Sequence, residues 1–434
     1  ARALLVSALD NARRSGDPRL TQRIQVFYLD LVWRQNDRSP IDDAEFLERC
    51  DEELDLCRDF LGVDRDQAAT RMERMSRRIE SRLKAIEGGA SPEIRDEVLR
   101  RHLTAEALAA QLLFNDRRPT ESAELIRHVI SSVRTQQLDA PDRDSWRLLE
   151  MEALYTQSCA EMISGEVTAA VRSAADAAAI AEGSNSLLAR KVTSTYGSML
   201  LSEDPKGGEK ILRDCLGSWA DDGTSDAALV HVHLSMALVL QAHRLTPGDE
   251  ARGALLGEAQ DRMTRVHDSC RRLGMYVDAG AAALVRGVSS GVSGDGDEVT
   301  WFAQGVAAAA RGRQMETLWR SHINLAMSLC RKEGEPSMTA CNHAVAAYEI
   351  MQETLAVYSE PERSPRFEML RVGLAATAWM LIASGDEKGR AILERYPKLR
   401  LHFSDPEAGV LAPYDGSPRH YQWLRVDDVD YVLY

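Results

Sequence analysis

A chain of 434 residues with 44% hydrophobic and 28% charged side chains has a globular composition, which excludes wholesale disorder. Its formal charge of −14 repels nucleic acid and anionic membranes at long range. No apolar run approaches the ~20 residues that span a bilayer, and the seven cysteines are scattered, so reduced thiols in a cytoplasmic protein are expected.

The length exceeds the roughly 250–300 residues that one compact core holds, which fits two domains or one elongated solenoid. Residues 1–14 and 20–35 read as helices divided by Ser15-Gly16-Asp17-Pro18. The pattern begins at Ala1 with no cap before it, so the chain is expected to be a piece of a longer polypeptide. Asp42 or Asp43 then caps a helix reaching Phe60, with Leu47, Leu54 and Leu61 spaced by sevens. Between 41 and 60 stand nine acids against two arginines, whereas 71–84 holds six bases against two acids. Neighbouring helices of opposite sign most simply pair with each other. Gly88-Gly89-Ala90-Ser91-Pro92 reads as a linker, separating an N-terminal segment, 1–88, from the rest of the chain.

From 93 to 395 the pattern is regular. Helices are expected near 93–114, 119–136, 143–182 (a hairpin turning at Gly165), 185–202, 207–219, 225–244 and 250–273. They continue near 275–292, 297–312, 315–332, 337–356, 365–384 and 386–395. Glycine and proline mark the turns at Asp204-Pro205, Thr246-Pro247-Gly248, Gly294-Asp295-Gly296, Gly334-Glu335-Pro336 and Ser384-Gly385. Residues 396–434 change character, ending in the apolar, β-branched YQWLRVDDVDYVLY, and are expected to form an extended tail or cap.

Within the hairpin, Ala170, Ala174 and Ala177 lie four and three apart on one helix face, where a second helix can approach closely. The strip returns at Ala303, Ala307 and Ala310, and at Ala340, Ala344 and Ala347. Together with Ser158, seven residues before Gly165, these strips resemble the tetratricopeptide repeat (TPR) family. The 365–395 hairpin keeps Ala378 and Gly385 but has Arg390 where a small residue belongs. The resemblance implies an all-α fold, a superhelical stack of antiparallel helix pairs. Long degenerate repeats of this kind are similar to the sensor arms of large bacterial signalling ATPases and transcription regulators. It further implies that a partner contacts the first helix of each pair, which places candidate positions at Glu152, Tyr155 and Cys159, and at Ser321, Asn324 and Ser328.

Catalytic and cofactor chemistry is not legible. No GxxxxGK[ST] loop occurs, and Lys206-Gly207-Gly208 reads as a turn. His231 and His233, two apart on a helix, point roughly 200° from each other and do not converge on one metal ion; one groove-facing and one packed histidine are expected. Cys50 and Cys57 read as buried thiols, and Asp427, Asp428 and Asp430 as a solvated acidic tail. Arg71, Arg74, Arg78 and Arg82 lie along one helix stripe that could read phosphates or an acidic protein. Pairing with the acidic 42–59 helix is the simpler expectation, since no aromatic residue interleaves them for base stacking. The sequence reads as a scaffold or sensor module binding a protein, a peptide or a small ligand, without metal or cofactor. Nucleic-acid binding through the arginine stripe and an enzyme site assembled from distant residues stand as alternatives.

Overall fold

A computed structural model describes residues 18–399, apart from 37–41, 62–64, 87–90, 116–117, 138–141, 185, 219–223, 357, 359–360, 364 and 398, together with Ser7, Ala8 and Asn11. Apart from Ser7, Ala8 and Asn11, the helix expected over 1–14, most of the Gly88–Ser91 stretch, and the tail beyond residue 399 with its aspartates lie outside the described residues.

Among the described residues are seventeen α-helices and no strand. They are α1 (Pro18–Asn36), α2 (Asp43–Leu61), α3 (Arg65–Ile86), α4 (Pro92–Asn115), α5 (Pro119–Gln137) and α6 (Arg143–Ser164). Next come α7 (Val167–Ala181), α8 (Leu187–Met199), α9 (Pro205–Ser218), α10 (Ser225–His243), α11 (Glu250–Leu273) and α12 (Tyr276–Ser293). The last five are α13 (Glu298–Gly312), α14 (Met315–Glu333), α15 (Met338–Leu355), α16 (Pro365–Ala383) and α17 (Glu387–Arg395). Their ends follow the local chemistry. Asp42 accepts from the Glu45 amide at 2.8 Å and starts α2. Ser337 and Asp386 cap α15 and α17 in the same way. Gly334 ends α14 at φ 82°, a conformation glycine adopts without cost. Arg313 ends α13 at φ 53° without that advantage.

The chain divides into two units. One comprises Ala1–Ile163 with Thr168–Glu182, the other Ser164–Val167 with Gly183 onward. No division falls at 88–92. Val98, Ala105 and Leu108 of α4 share one core with Leu29 of α1, Leu54 of α2 and Met75 of α3, so the glycine-rich stretch is a connection inside the first unit.

In the first unit α1 to α5, and in the second α8 to α17, each helix packs on its sequence neighbours, and a second set of contacts skips one helix. In the second unit α8, α10, α12, α14 and α16 touch one another in succession. In the first, α2 touches α4, and α6 reaches both through Arg58–Glu152 and Gln111–Thr156. Within each unit the even-numbered helices therefore form a layer, flanked by the odd-numbered helices. This is the two-layer arrangement of a helical-repeat protein, the fold class expected from the sequence.

Two alanine strips are buried as expected. Ala170, Ala174 and Ala177 are 0%, 2% and 0% exposed, and Ala340, Ala344 and Ala347 are all 0%. The third strip is out of register: Ala303, Ala307 and Ala310 face solvent, and α13 buries Phe302, Gly305, Ala308 and Ala309 instead. The α12–α13 contact sets this register. A Cβ on Gly287 would stand 2.7 Å from the Phe302 ring, so the ring occupies the space that glycine leaves open. Helix α10 is long and apolar enough to cross a bilayer by composition. It is instead the core helix of the second unit, with Leu234, Ala237, Leu238 and Val239 fully buried.

Candidate functional site

The arginine stripe on α3 is largely spent inside the first unit. Arg71 is buried and pairs with Glu53 of α2 and with Asp30 of α1, the latter at 2.9 Å. Glu53 also accepts from the Trp33 indole at 3.3 Å. Arg82 pairs with Asp43 and lies over the Phe46 ring, and Arg78 lies 4.5 Å from the Trp33 ring centroid. Only Arg74 is left fully exposed. Opposite charge on adjacent helices is used for packing, which leaves little of the stripe to hold a polyanion.

The partner positions inferred on α14 lie inside the fold. Ser321 and Ser328 are 0% exposed and Asn324 5%; Asn324 donates to the Arg320 carbonyl, and Ser328 accepts from Arg331. Their small size serves close packing. A Cβ on Gly305 of α13 would stand 2.8 Å from the Ser321 hydroxyl, so these helices approach to where only small groups fit. On α6, Glu152 pairs with Arg58 at 3.3 Å, Tyr155 is half-buried, and burial pushes the Cys159 thiol up to about 11. Of the six positions, Glu152, Tyr155 and Cys159 retain some surface.

Cys50 and Cys57 are fully buried, with thiols pushed up to about 12 by desolvation. No cluster of three metal-ligating side chains exists among the described residues. His231 and His233 part as the helical spacing requires. His231 faces a groove, whereas burial holds His233 down to about 4.

That groove, in the second unit, has a volume of about 1100 Å³. Thr224, Ala227, Ala228 and His231 of the α10 end line one side, and the second half of α11 lines the other. Its walls are basic. Arg262 is held by Glu258 and lies 2.8 Å from His231 Nδ1. Arg265, Arg271 and Arg272 are exposed and form no ion pair among the described residues. The one acid among the groove's described residues, Asp268, sits beside His267 at 3.2 Å. The floor is apolar, made by Ala227, Ala228, Val266 and the buried Cys270, and Leu273 stands 60% exposed at the rim. Arg271 also lines a smaller groove of about 400 Å³ between α11 and α13, into which Ala303 and Ala307 face.

Arg271 and Arg272 occupy the last turn of α11, where cations offset the helix dipole. Arg265, two turns earlier, has no such explanation. Sequence reasoning weighed His231 but passed over these arginines; Arg265 and Arg272 stand seven apart on one face, the spacing that marked the α3 stripe.

No family model and no curated protein matches the sequence. Among solved structures, a Rap protein complexed with Competence and Sporulation Factor aligns over 89% of this chain and 99% of its own, with a TM-score of 0.51 at 11% identity. At that identity the likeness is one of fold. A circular tandem repeat protein with a novel repeat topology aligns over 92% and 94% at 16% identity, but with a TM-score of 0.25 the superposition is too loose to bear on the fold.

Proposed function

We propose that this chain is a protein- or peptide-binding helical-repeat module, acting as the scaffold or sensor part of a larger regulatory assembly. The observation that carries the reading is a layered repeat fold with a wide groove whose three exposed arginines have no partner among the described residues. An open, charged and partly apolar surface suits recognition of a chain better than chemistry on a small molecule. The Rap protein of similar fold is complexed with a factor, which supports a partner of that general kind. The alternative of nucleic-acid binding through α3 loses its support because Arg71 and Arg82 are paired within the unit.

The reading is tested with a photo-crosslinking residue placed at Tyr155, at Leu273 or at exposed Met338, in cells of the source organism. Discrete protein adducts from Tyr155 or Leu273, with none from Met338, are the expected outcome. Equal adducts from all three positions, or none from any, overturn it.

A further inference from the structure

Resting on that reading, we infer that the groove between α10 and α11 recognises an acidic peptide segment that carries apolar side chains between its carboxylates. Three properties of the groove lead there. First, its charge is surplus. Arg262 is committed to Glu258, and Asp268 offsets one cation at most, so Arg265, Arg271 and Arg272 leave a net positive excess with no ion-pair partner among the described residues. In a chain of net charge −14, a local excess of cations without partners is the feature that calls for a complement from outside.

Second, the charge is spread. Arg265 and Arg272 are separated by seven residues of helix, about 10 Å of rise. That distance exceeds one small anion and matches carboxylates repeated along a peptide. Guanidinium groups bind carboxylates through paired hydrogen bonds, so each exposed arginine can hold one acid.

Third, the floor is apolar and has no aromatic side chain. Ala227, Ala228, Val266 and Cys270 accept aliphatic groups between the charged contacts, and Leu273 extends this surface at the rim. Among the described lining residues a nucleic acid would find no Phe, Tyr or Trp for base stacking, and it would meet the repulsion of the whole chain. The occupant chosen by this surface is an acidic, amphipathic stretch of protein.

The test uses the full chain and a fluorescein-labelled peptide of Glu-Ala-Leu-Glu repeats, about sixteen residues long and about 24 Å as a helix. Its lysine counterpart and a DNA duplex of equal charge serve as comparison probes. Wild type is compared with Arg265→Glu/Arg271→Glu/Arg272→Glu and with the milder Arg265→Ala/Arg272→Ala; circular dichroism verifies helix content in both. The expected result is anisotropy binding of the acidic peptide that weakens about tenfold or more in the charge-reversed protein. The same loss is expected on raising ionic strength from about 0.05 M to about 0.5 M, which shortens the range of the attraction. The lysine peptide shows no binding. Unchanged affinity in both variants overturns the inference, as does tighter binding of DNA than of peptide at the same residues. Adducts persisting at Tyr155 after such a failure leave the broader binding-module reading in place and remove only this groove.

Discussion

Gly389 is where α17 comes closest to α16, and it offers a sharp test of the repeat packing. A Cβ placed there would meet the Ala378 carbonyl oxygen, the Ile382 amide nitrogen and Ile382 Cγ1, each at 2.7 Å. Relaxed heavy-atom contacts lie near 3.5 Å or more, so α17 must withdraw by roughly 0.8 Å. Two of the three atoms are backbone and cannot step aside by changing rotamer. Overpacking of this kind costs about 1–3 kcal/mol. Replacing a helical glycine by alanine recovers about 0.5–1 kcal/mol of backbone entropy, which offsets only part of that. Gly389→Ala is therefore expected to destabilise the end of the second unit by about 1–2 kcal/mol. Gly253→Ala, on the exposed side of α11 with nothing within 4 Å, should instead gain about 0.5–1 kcal/mol. Hydrogen exchange of the α16 and α17 amides, with thermal melting beside it, reads both signs. A Gly389→Ala protein as protected and as thermostable as wild type would refute the close crossing.

Ala174→Leu and Ala344→Leu should each cost about 1–3 kcal/mol, while Ala307→Leu stays within about 0.5 kcal/mol of wild type, as denaturant midpoints will show. Glu53→Ala leaves the buried Arg71 guanidinium with Asp30 as its remaining carboxylate and should cost about 1–3 kcal/mol, whereas Glu53→Leu with Arg71→Met should recover part of the loss in the same assay. Burial holds His233 and His322 down to about 4 and also lowers His343, whose Nδ1 lies 2.9 Å from that of His322. The unfolded chain then binds more protons between the ordinary histidine value of 6.5 and about 4, so stability is complete above that window and falls as pH drops through it. Denaturant midpoints at stepped pH should trace this slope, and His322→Gln should flatten it. Cys50 and Cys57, fully buried and with raised thiol pKa, should resist maleimide at neutral pH until the first unit unfolds; rapid native labelling contradicts their placement.

Helix positions were legible because glycine, proline and capping residues punctuate them. The expected 250–273 segment coincides with α11, and α10 and α14 differ from expectation by one residue at an end. Rotational register was legible only where the stripe had contrast. Around Ala170 and Ala340 polar and apolar residues alternate enough to choose a face. In Ala307–Ala310 four alanines run together and no face stands out, so the choice passes to Phe302 and Gly305 and to the helix across from them. Ser321 and Ser328 read as polar and therefore as surface, yet a hydroxyl of that size fits a tight crossing as readily as water. The α11 groove was the least legible feature. It depends on how far the α10 end and the second half of α11 stand apart, a tertiary distance that spacing along one helix does not encode.

The succession of contacts from α8 to α16 makes the second unit a chain of short springs in series. Every substantial contact there joins helices no more than two steps apart, so a displacement at one hairpin is handed first to its immediate neighbours. Small rotations at each crossing add up along the series, which makes the unit compliant at its ends while every individual crossing stays stiff. An occupant wedged beside α11 would be felt at α10 and α12 before it is felt at α16. The sense and size of that distant response are set by the crossings between, so tightly packed glycines and alanines such as Gly280, Gly287 and Ala344 act as the stiffness constants of the series.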